Sequence, residues 1–282
     1  MFPARILQRF SPILRNSLMS ANSCRYVSTE LVSTQVDDKT GIATVTMNRP
    51  PVNSLNLDLL REISGALDAV EKNKSKGMIL TSSSDTVFSA GLDIMEMYKP
   101  DQARVKEFWS TLQEVWLKLF AAGLPTAAAI NGHAPAGGCL LAMSCEYRVM
   151  RTNFTIGLNE TQLGIVAPVW FMGTMENILP RREVELALTL GKMFSTEKAH
   201  EIGLVDQVVD TKEEAIAKCT EFIQLFARVP RMARDLTKQV FRKDIIASLD
   251  REQDLQMFLY AITQPQVQKG LGLYIESLKK RK

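Results

Sequence analysis

The chain has 282 residues, 46% of them hydrophobic and 23% charged, with a formal net charge of +3. This balance excludes a disordered chain, and no apolar run approaches the roughly 20 residues of a membrane span. Four cysteines with no C-x-x-C pair (Cys24, Cys139, Cys145 and Cys219) and only two histidines argue for reduced thiols and against a zinc site.

The first 29 residues stand apart. They hold Arg5, Arg9, Arg15 and Arg25, five serines, and no Lys, Asp or Glu, with Ile6, Phe10, Ile13, Leu14 and Leu18 at near-helical spacing. That is the composition of a mitochondrial transit peptide, with cleavage expected around residues 25 to 30. With the four arginines removed, +3 becomes −1 for residues 30–282. Such a near-neutral protein gives no support for nucleic-acid binding.

Beyond it, 41–47 reads as a strand ended by Asn48-Arg49-Pro50-Pro51, and 57–71 as an amphipathic helix. A short buried strand at 78–81 precedes a helix at 105–120, whose apolar face is Phe108, Leu112, Val115 and Leu119. Another buried strand, 126–130, leads into a Gly- and Pro-rich loop at 131–138, a small-residue helix at 139–144 and a strand at 146–150. After about residue 172 the pattern is helical (183–190, 213–228, 232–241 and 267–278), with one strand signal at 204–209. Short apolar strands alternating with helices predict an α/β fold with mostly parallel pairing. The expected division is a core at 30–210 and a helical region at 211–282.

Three loops carry the chemistry. They are Phe88-Ser89-Ala90-Gly91-Leu92-Asp93-Ile94, then Asn131-Gly132-His133-Ala134-Pro135-Ala136-Gly137-Gly138-Cys139, then 155–164 with Asn159 and Glu160. Two glycines opening a helix let a substrate oxygen approach free N–H groups at the positive end of the helix dipole, which is what an oxyanion hole requires. Alone, a Gly-Gly pair is equally a packing device, and Glu160 equally a helix-start acid.

The order and spacing of these loops, with Arg49-Pro50-Pro51-Val52-Asn53-Ser54-Leu55 before them and 203–209 after, resemble the crotonase (enoyl-CoA hydratase/isomerase) superfamily. The resemblance implies a crotonase/ClpP-like spiral of ββα units with a helical C-terminal trimerisation region, as a homotrimer or dimer of trimers. It implies an acyl-CoA thioester substrate, with the carbonyl held by the N–H groups of Leu92 and Gly137. Backbone around Ala90, Gly91, Asp93 and Ile94 would bind the CoA portion. No metal, cofactor beyond CoA itself, membrane span or nucleic-acid partner is implied.

The family's hydratases use two glutamates. Here the first of those positions is Leu140 and the second is Glu160. One carboxylate cannot readily position and activate water, but it can take a proton from C2 and return it to C4. The third loop and Pro135-Ala136-Gly137-Gly138-Cys139 resemble the family's mitochondrial 3,2-trans-enoyl-CoA isomerases. That implies conversion of 3-enoyl-CoA to trans-2-enoyl-CoA in β-oxidation within the mitochondrial matrix, with Glu160 as the single acid–base and Asn159 orienting it or touching substrate. A hydratase or acyl-CoA thioesterase with a rearranged site, and a non-catalytic RNA-binding member, stay open as alternatives. His133, His200 and Cys139 read as structural, and Trp109 and Trp116 as core rather than tunnel residues.

Overall fold

A computed structural model describes residues 24–28 and 31–280. Strands β1 (Cys24–Ser28), β2 (Val32–Asp37) and β3 (Ile42–Met47) form an antiparallel meander. Helix α1 (Leu57–Lys72) leads to β4 (Gly77–Ser82), α2 (Gln102–Phe120) to β5 (Thr126–Ile130), and β6 (Ala134–Pro135) with α3 (Gly137–Ser144) to β7 (Tyr147–Arg151). Then come β8 (Thr155–Gly157), α4 (Val169–Glu176), α5 (Arg181–Leu190), β9 (Phe194–Ser195), α6 (Thr196–Glu201) and β10 (Gln207–Val209). Four helices close the chain: α7 (Lys212–Gln224), α8 (Arg231–Ala247), α9 (Arg251–Thr263) and α10 (Pro265–Lys279).

The large sheet has the order β1-β2-β3-β4-β5-β7-β10, parallel from β3 onward, and a small sheet has the order β6-β8-β9. This is the expected mixed α/β architecture. The 131–138 loop departs from expectation: it contains β6, and α3 begins inside it at Gly137. The expected targeting segment lies outside the described residues except at its end, where Cys24–Ser28 forms β1.

Strand β5 is buried along its whole length because both sheet faces are covered. Ala128 and Ile130 face α1 and α2 with Met78, Leu80 and Met150, while Ala127 and Ala129 face α7 with Ile79, Val149, Ala215, Cys219 and Ile223. Gly77 permits the close approach of α7, since a Cβ there would overlap the Ile223 side chain. The expected boundary at 210 thus falls before a helix that covers the sheet.

Helix α8 docks through charge. Arg234, Lys238 and Arg242 recur every four residues on one face, and all three are buried. Arg234 donates to Gly123 O (2.9 Å), Lys238 to Ala122 O (2.8 Å) and Arg242 to Phe120 O (2.8 Å), so each satisfies a carbonyl at the end of α2. Glu146 is their shared counter-ion, forked by Arg234 and bonded by Lys238 at 3.2 Å. Burial still pushes Lys238 down to about 8 and Arg242 down to about 10.

Candidate active site

The three loops leave the C-terminal ends of β4, β5 and β7, where open parallel sheets place ligands. The first loop is tied to the 52–55 segment. Ala90 N–H donates to Val52 O (2.9 Å), Leu55 N–H to Gly91 O (2.8 Å) and Asp93 N–H to Leu55 O (3.0 Å). This parallel bridge pairs Leu55 with Leu92 through the amides of Leu55 and Asp93, so the Leu92 N–H stands outside it.

The second loop closes against the first. A Cβ on Gly91, whose φ is +87°, would come within 3.1 Å of Pro135 O and 3.2 Å of Gly137 N. A Cβ on Gly137 would come within 3.3 Å of Leu92 N, and one on Gly138 would overlap Ser89 O. The amides of Leu92 and Gly137 are therefore neighbours, and the glycine at 137 adds no side chain of its own beside them. Gly137 opens α3, so its N–H has no intrahelical partner. Ala136, just before it, has φ +49° and ψ −120°, a conformation costing a non-glycine residue about 1–3 kcal/mol. Its N–H donates to Gly157 O (2.8 Å), which helps hold that strained backbone in place.

The third loop is joined to the second by the β6/β8 ladder, Ala134 with Ile156 and Pro135 with Gly157. Three residues past Gly157, a single 3-10 turn begins at Glu160. The turn is anchored from α5: Thr161 Oγ1 donates to Leu188 O (2.9 Å) and Gln162 Nε2 to Gly191 O (2.8 Å). Among the described residues, Glu160 Oε2 and Asn159 Oδ1 are both inaccessible to solvent and without a hydrogen-bond partner. Burial raises the Glu160 carboxyl to about 7, opposed only by its own backbone N–H. The Glu160 charge also reaches Cys139, whose thiol it helps burial to push far up, so Cys139 stays protonated and is no nucleophile. Leu140 is wholly buried in the apolar core and offers no second acid–base.

Of the residues expected at the site, Gly91, Leu92, Gly137, Asn159 and Glu160 come from loops that meet. Ala90 is exposed at the outer edge, and Ile94 is half-buried at the start of a 3-10 turn. The Asp93 carboxylate is engaged by the protein itself, accepting from Met95 N–H (3.0 Å) and pairing with Arg49 at 3.0 Å. Trp109 stacks on Phe258, and its Nε1 donates to Asp254 (2.6 Å), as core residues do.

Reading by loops overlooked the scaffold behind them. Buried Asn53, at φ +48°, donates from Nδ2 to Ser82 Oγ (2.7 Å) and Phe88 O (3.2 Å), and its Oδ1 accepts from Arg49 N–H (2.7 Å). Ser89 Oγ donates to Asn53 O (2.7 Å) and accepts from Gly91 N–H (3.2 Å). Both lie within the quoted motifs, at 49–55 and 88–94, but nothing in those strings assigns them a role.

The arrangement is a pair of neighbouring amides on two loops, joined through the β6/β8 ladder to a third loop whose carboxylate has one buried oxygen without a partner among the described residues. Among the described residues no group of His, Cys, Asp and Glu gathers as a metal site, and no helix is long and apolar enough to cross a membrane. Known proteins share the arrangement's frame. Enoyl-CoA delta isomerase 1, mitochondrial, of Mus musculus is 41% identical over 268 residues, 93% of this chain and 92% of the relative. The crystal structure of human mitochondrial delta3-delta2-enoyl-CoA isomerase superposes with a TM-score of 0.86 at 42% identity, over 90% of this chain and all of that one. A crotonyl-CoA hydratase of Syntrophomonas wolfei is more distant, 29% identical over 84% of this chain and 93% of its own length. With residues 37–281 also matching the family model for enoyl-CoA hydratase/isomerase, fold, loop order and sequence agree: the chain belongs to the enoyl-CoA hydratase/isomerase family.

Proposed function

We propose that the protein is an enoyl-CoA isomerase that converts 3-enoyl-CoA to trans-2-enoyl-CoA with Glu160 as its single acid–base. The observation that carries this reading is the buried Glu160 Oε2, which has no hydrogen-bond partner among the described residues. The relatives named as enoyl-CoA delta isomerases support it.

The thioester oxygen accepts from the N–H groups of Leu92 and Gly137. Glu160 removes a proton from C2, and the electron pair of that C–H bond delocalises through the thioester and the C3=C4 bond as a dienolate. The protonated Glu160 then delivers the same proton to C4, leaving the double bond between C2 and C3. A carboxyl raised to about 7 is ionised often enough to act as base and is strong enough as an acid to return the proton. Each oxyanion donor is worth about 10²–10³ in rate. Leu140, where a hydratase would hold its second carboxylate, leaves no group to activate water.

The finer reading follows the same chemistry. Backbone at Ala90, Gly91 and Ile94 receives the CoA portion, with Asp93 shaping that loop through Arg49. No metal or redox cofactor takes part. The basic N-terminal segment and the mitochondrial relatives support a mitochondrial location. Met232, Leu236 and Val240, an exposed apolar row on α8, support self-assembly as a trimer.

The test is a paired assay with 3-hexenoyl-CoA and 2-hexenoyl-CoA. Formation of the conjugated thioester is followed by ultraviolet absorbance, and hydration by chromatography of 3-hydroxyacyl-CoA. Conjugation without appreciable hydration, nearly lost in Glu160→Gln, is expected. Efficient hydration, or a Glu160→Gln variant as active as the wild type, would overturn the assignment.

A further inference from the structure

The geometry points to His133 as a positioning residue that fixes the third loop, and through it Glu160, against the two oxyanion loops. The backbone of His133 serves the first loop. Its N–H donates to Thr86 O (2.9 Å), and its carbonyl accepts from Phe88 N–H (3.0 Å) and Ser89 N–H (3.3 Å). Its side chain serves the third. Nδ1 lies 3.2 Å from Thr155 N and 2.9 Å from Thr155 Oγ1. A backbone N–H can only donate, so Nδ1 is the acceptor and the ring proton sits on Nε2.

The register explains why the contact matters. The β6/β8 ladder has two pairs, Ala134 with Ile156 and Pro135 with Gly157, so His133 and Thr155 occupy the next position, where the ladder ends. On the other side of β8, Thr155 faces Ser195, and Thr196 N–H donates to Phe154 O (3.1 Å). That bond makes Thr155–Ser195 a non-hydrogen-bonded pair, so the Thr155 N–H points toward β6. The imidazole takes the place of a strand carbonyl and extends a two-pair ladder by one. Phe154 holds the ring edge-on at 5.0 Å, with Arg151 over its own ring at 5.3 Å. Glu160 is five residues beyond Thr155; its Oε2 has no partner among the described residues and its carboxylate is held only by its own backbone N–H, so its placement depends on backbone.

This inference rests on the isomerase reading for its consequence in rate, but the contact is measurable separately. Replacing the side chain leaves the backbone seam to the first loop intact. Asparagine carries an oxygen where histidine carries Nδ1, whereas glutamine reaches toward the Nε2 position. His133→Ala and His133→Gln are expected to lower kcat for 3-hexenoyl-CoA about tenfold, with KM within twofold. His133→Asn is expected to keep kcat within about threefold of wild type. Amide exchange at Thr155 should quicken in the alanine variant and stay slow in the asparagine one. A His133→Ala enzyme with wild-type kcat and slow Thr155 exchange, or a His133→Asn enzyme as impaired as His133→Ala, would overturn the proposal. Failure of the wild type to isomerise 3-hexenoyl-CoA would instead remove the isomerase reading, and Thr155 exchange would still decide the role of His133.

Discussion

Two glutamates, fourteen residues apart, sit in opposite electrostatic surroundings. Glu146 is enclosed by Arg234 and Lys238, accepts Thr126 N–H as well, and so binds α8 to the start of β5 and the segment after α3. Among the described residues no cation is paired with Glu160, and its buried oxygen has no donor. A buried carboxylate that is fully compensated becomes structure, and one left uncompensated becomes reactive. Both environments were built in the same short stretch of chain, with α8 supplying the cations to one and no described residue supplying them to the other.

The comparison breaks most visibly in rate. Glu160→Gln should lower turnover by about 10²–10⁴-fold in the conjugation assay, since one positioned acid–base is worth that much. Glu146→Gln should leave turnover of the folded enzyme within a few-fold. Its cost should be stability instead: removing the counter-ion of a buried charge cluster costs about 3–5 kcal/mol, or roughly 10 °C in melting temperature by calorimetry.

The sign should reverse at the other glutamate. A carboxyl raised to about 7 in the fold from 4.5 destabilises the folded state wherever the unfolded chain is ionised. Wild-type stability is thus diminished progressively as pH rises from 4.5 to 7, then levels off at a deficit of about 3 kcal/mol. Glu160→Gln should be more stable than wild type at pH 8 and equal to it near pH 4. Denaturant titrations at the two pH values check this, and a destabilised Glu160→Gln at pH 8 would contradict an uncompensated site. The same ionisation should give kcat/KM an acid limb, falling tenfold per pH unit below about 7.

Much of this was legible from residues alone. The short apolar run of β5 and the amphipathic spacing of α1 marked their elements, and the glycine pair at 137 and 138 marked a place where a substrate oxygen could approach backbone. Glu160 and Leu140 acquired their meaning through resemblance to a family, because a carboxylate's partners come from distant segments and are invisible locally. Strands β6, β8 and β9 are two or three residues long, too short for any period to declare itself. Helix α9 escaped notice because Met257 and Tyr260 are exposed among the buried Phe258 and Ile262, which blurs its apolar stripe. Asn53 and Ser89 act across 29 to 36 residues of chain, a distance at which sequence carries no signal.

The smallest effect sharpens the comparison at the amides instead of the acids. Ser89→Ala removes the acceptor of Gly91 N–H and the donor to Asn53 O, while touching neither glutamate. It should lower kcat about five- to tenfold with an unshifted acid limb, whereas a change in the limb would mean that the two loops are electrostatically coupled.

Ala136 bears on timing. An amide that had to swing into place for each substrate would meet its conformational cost inside every catalytic barrier. The left-handed Ala136 meets that cost once, during folding, when the β6/β8 ladder closes behind it. Thereafter the Gly137 N–H is already aimed, and the expense of aiming it is spread over every turnover in the molecule's lifetime.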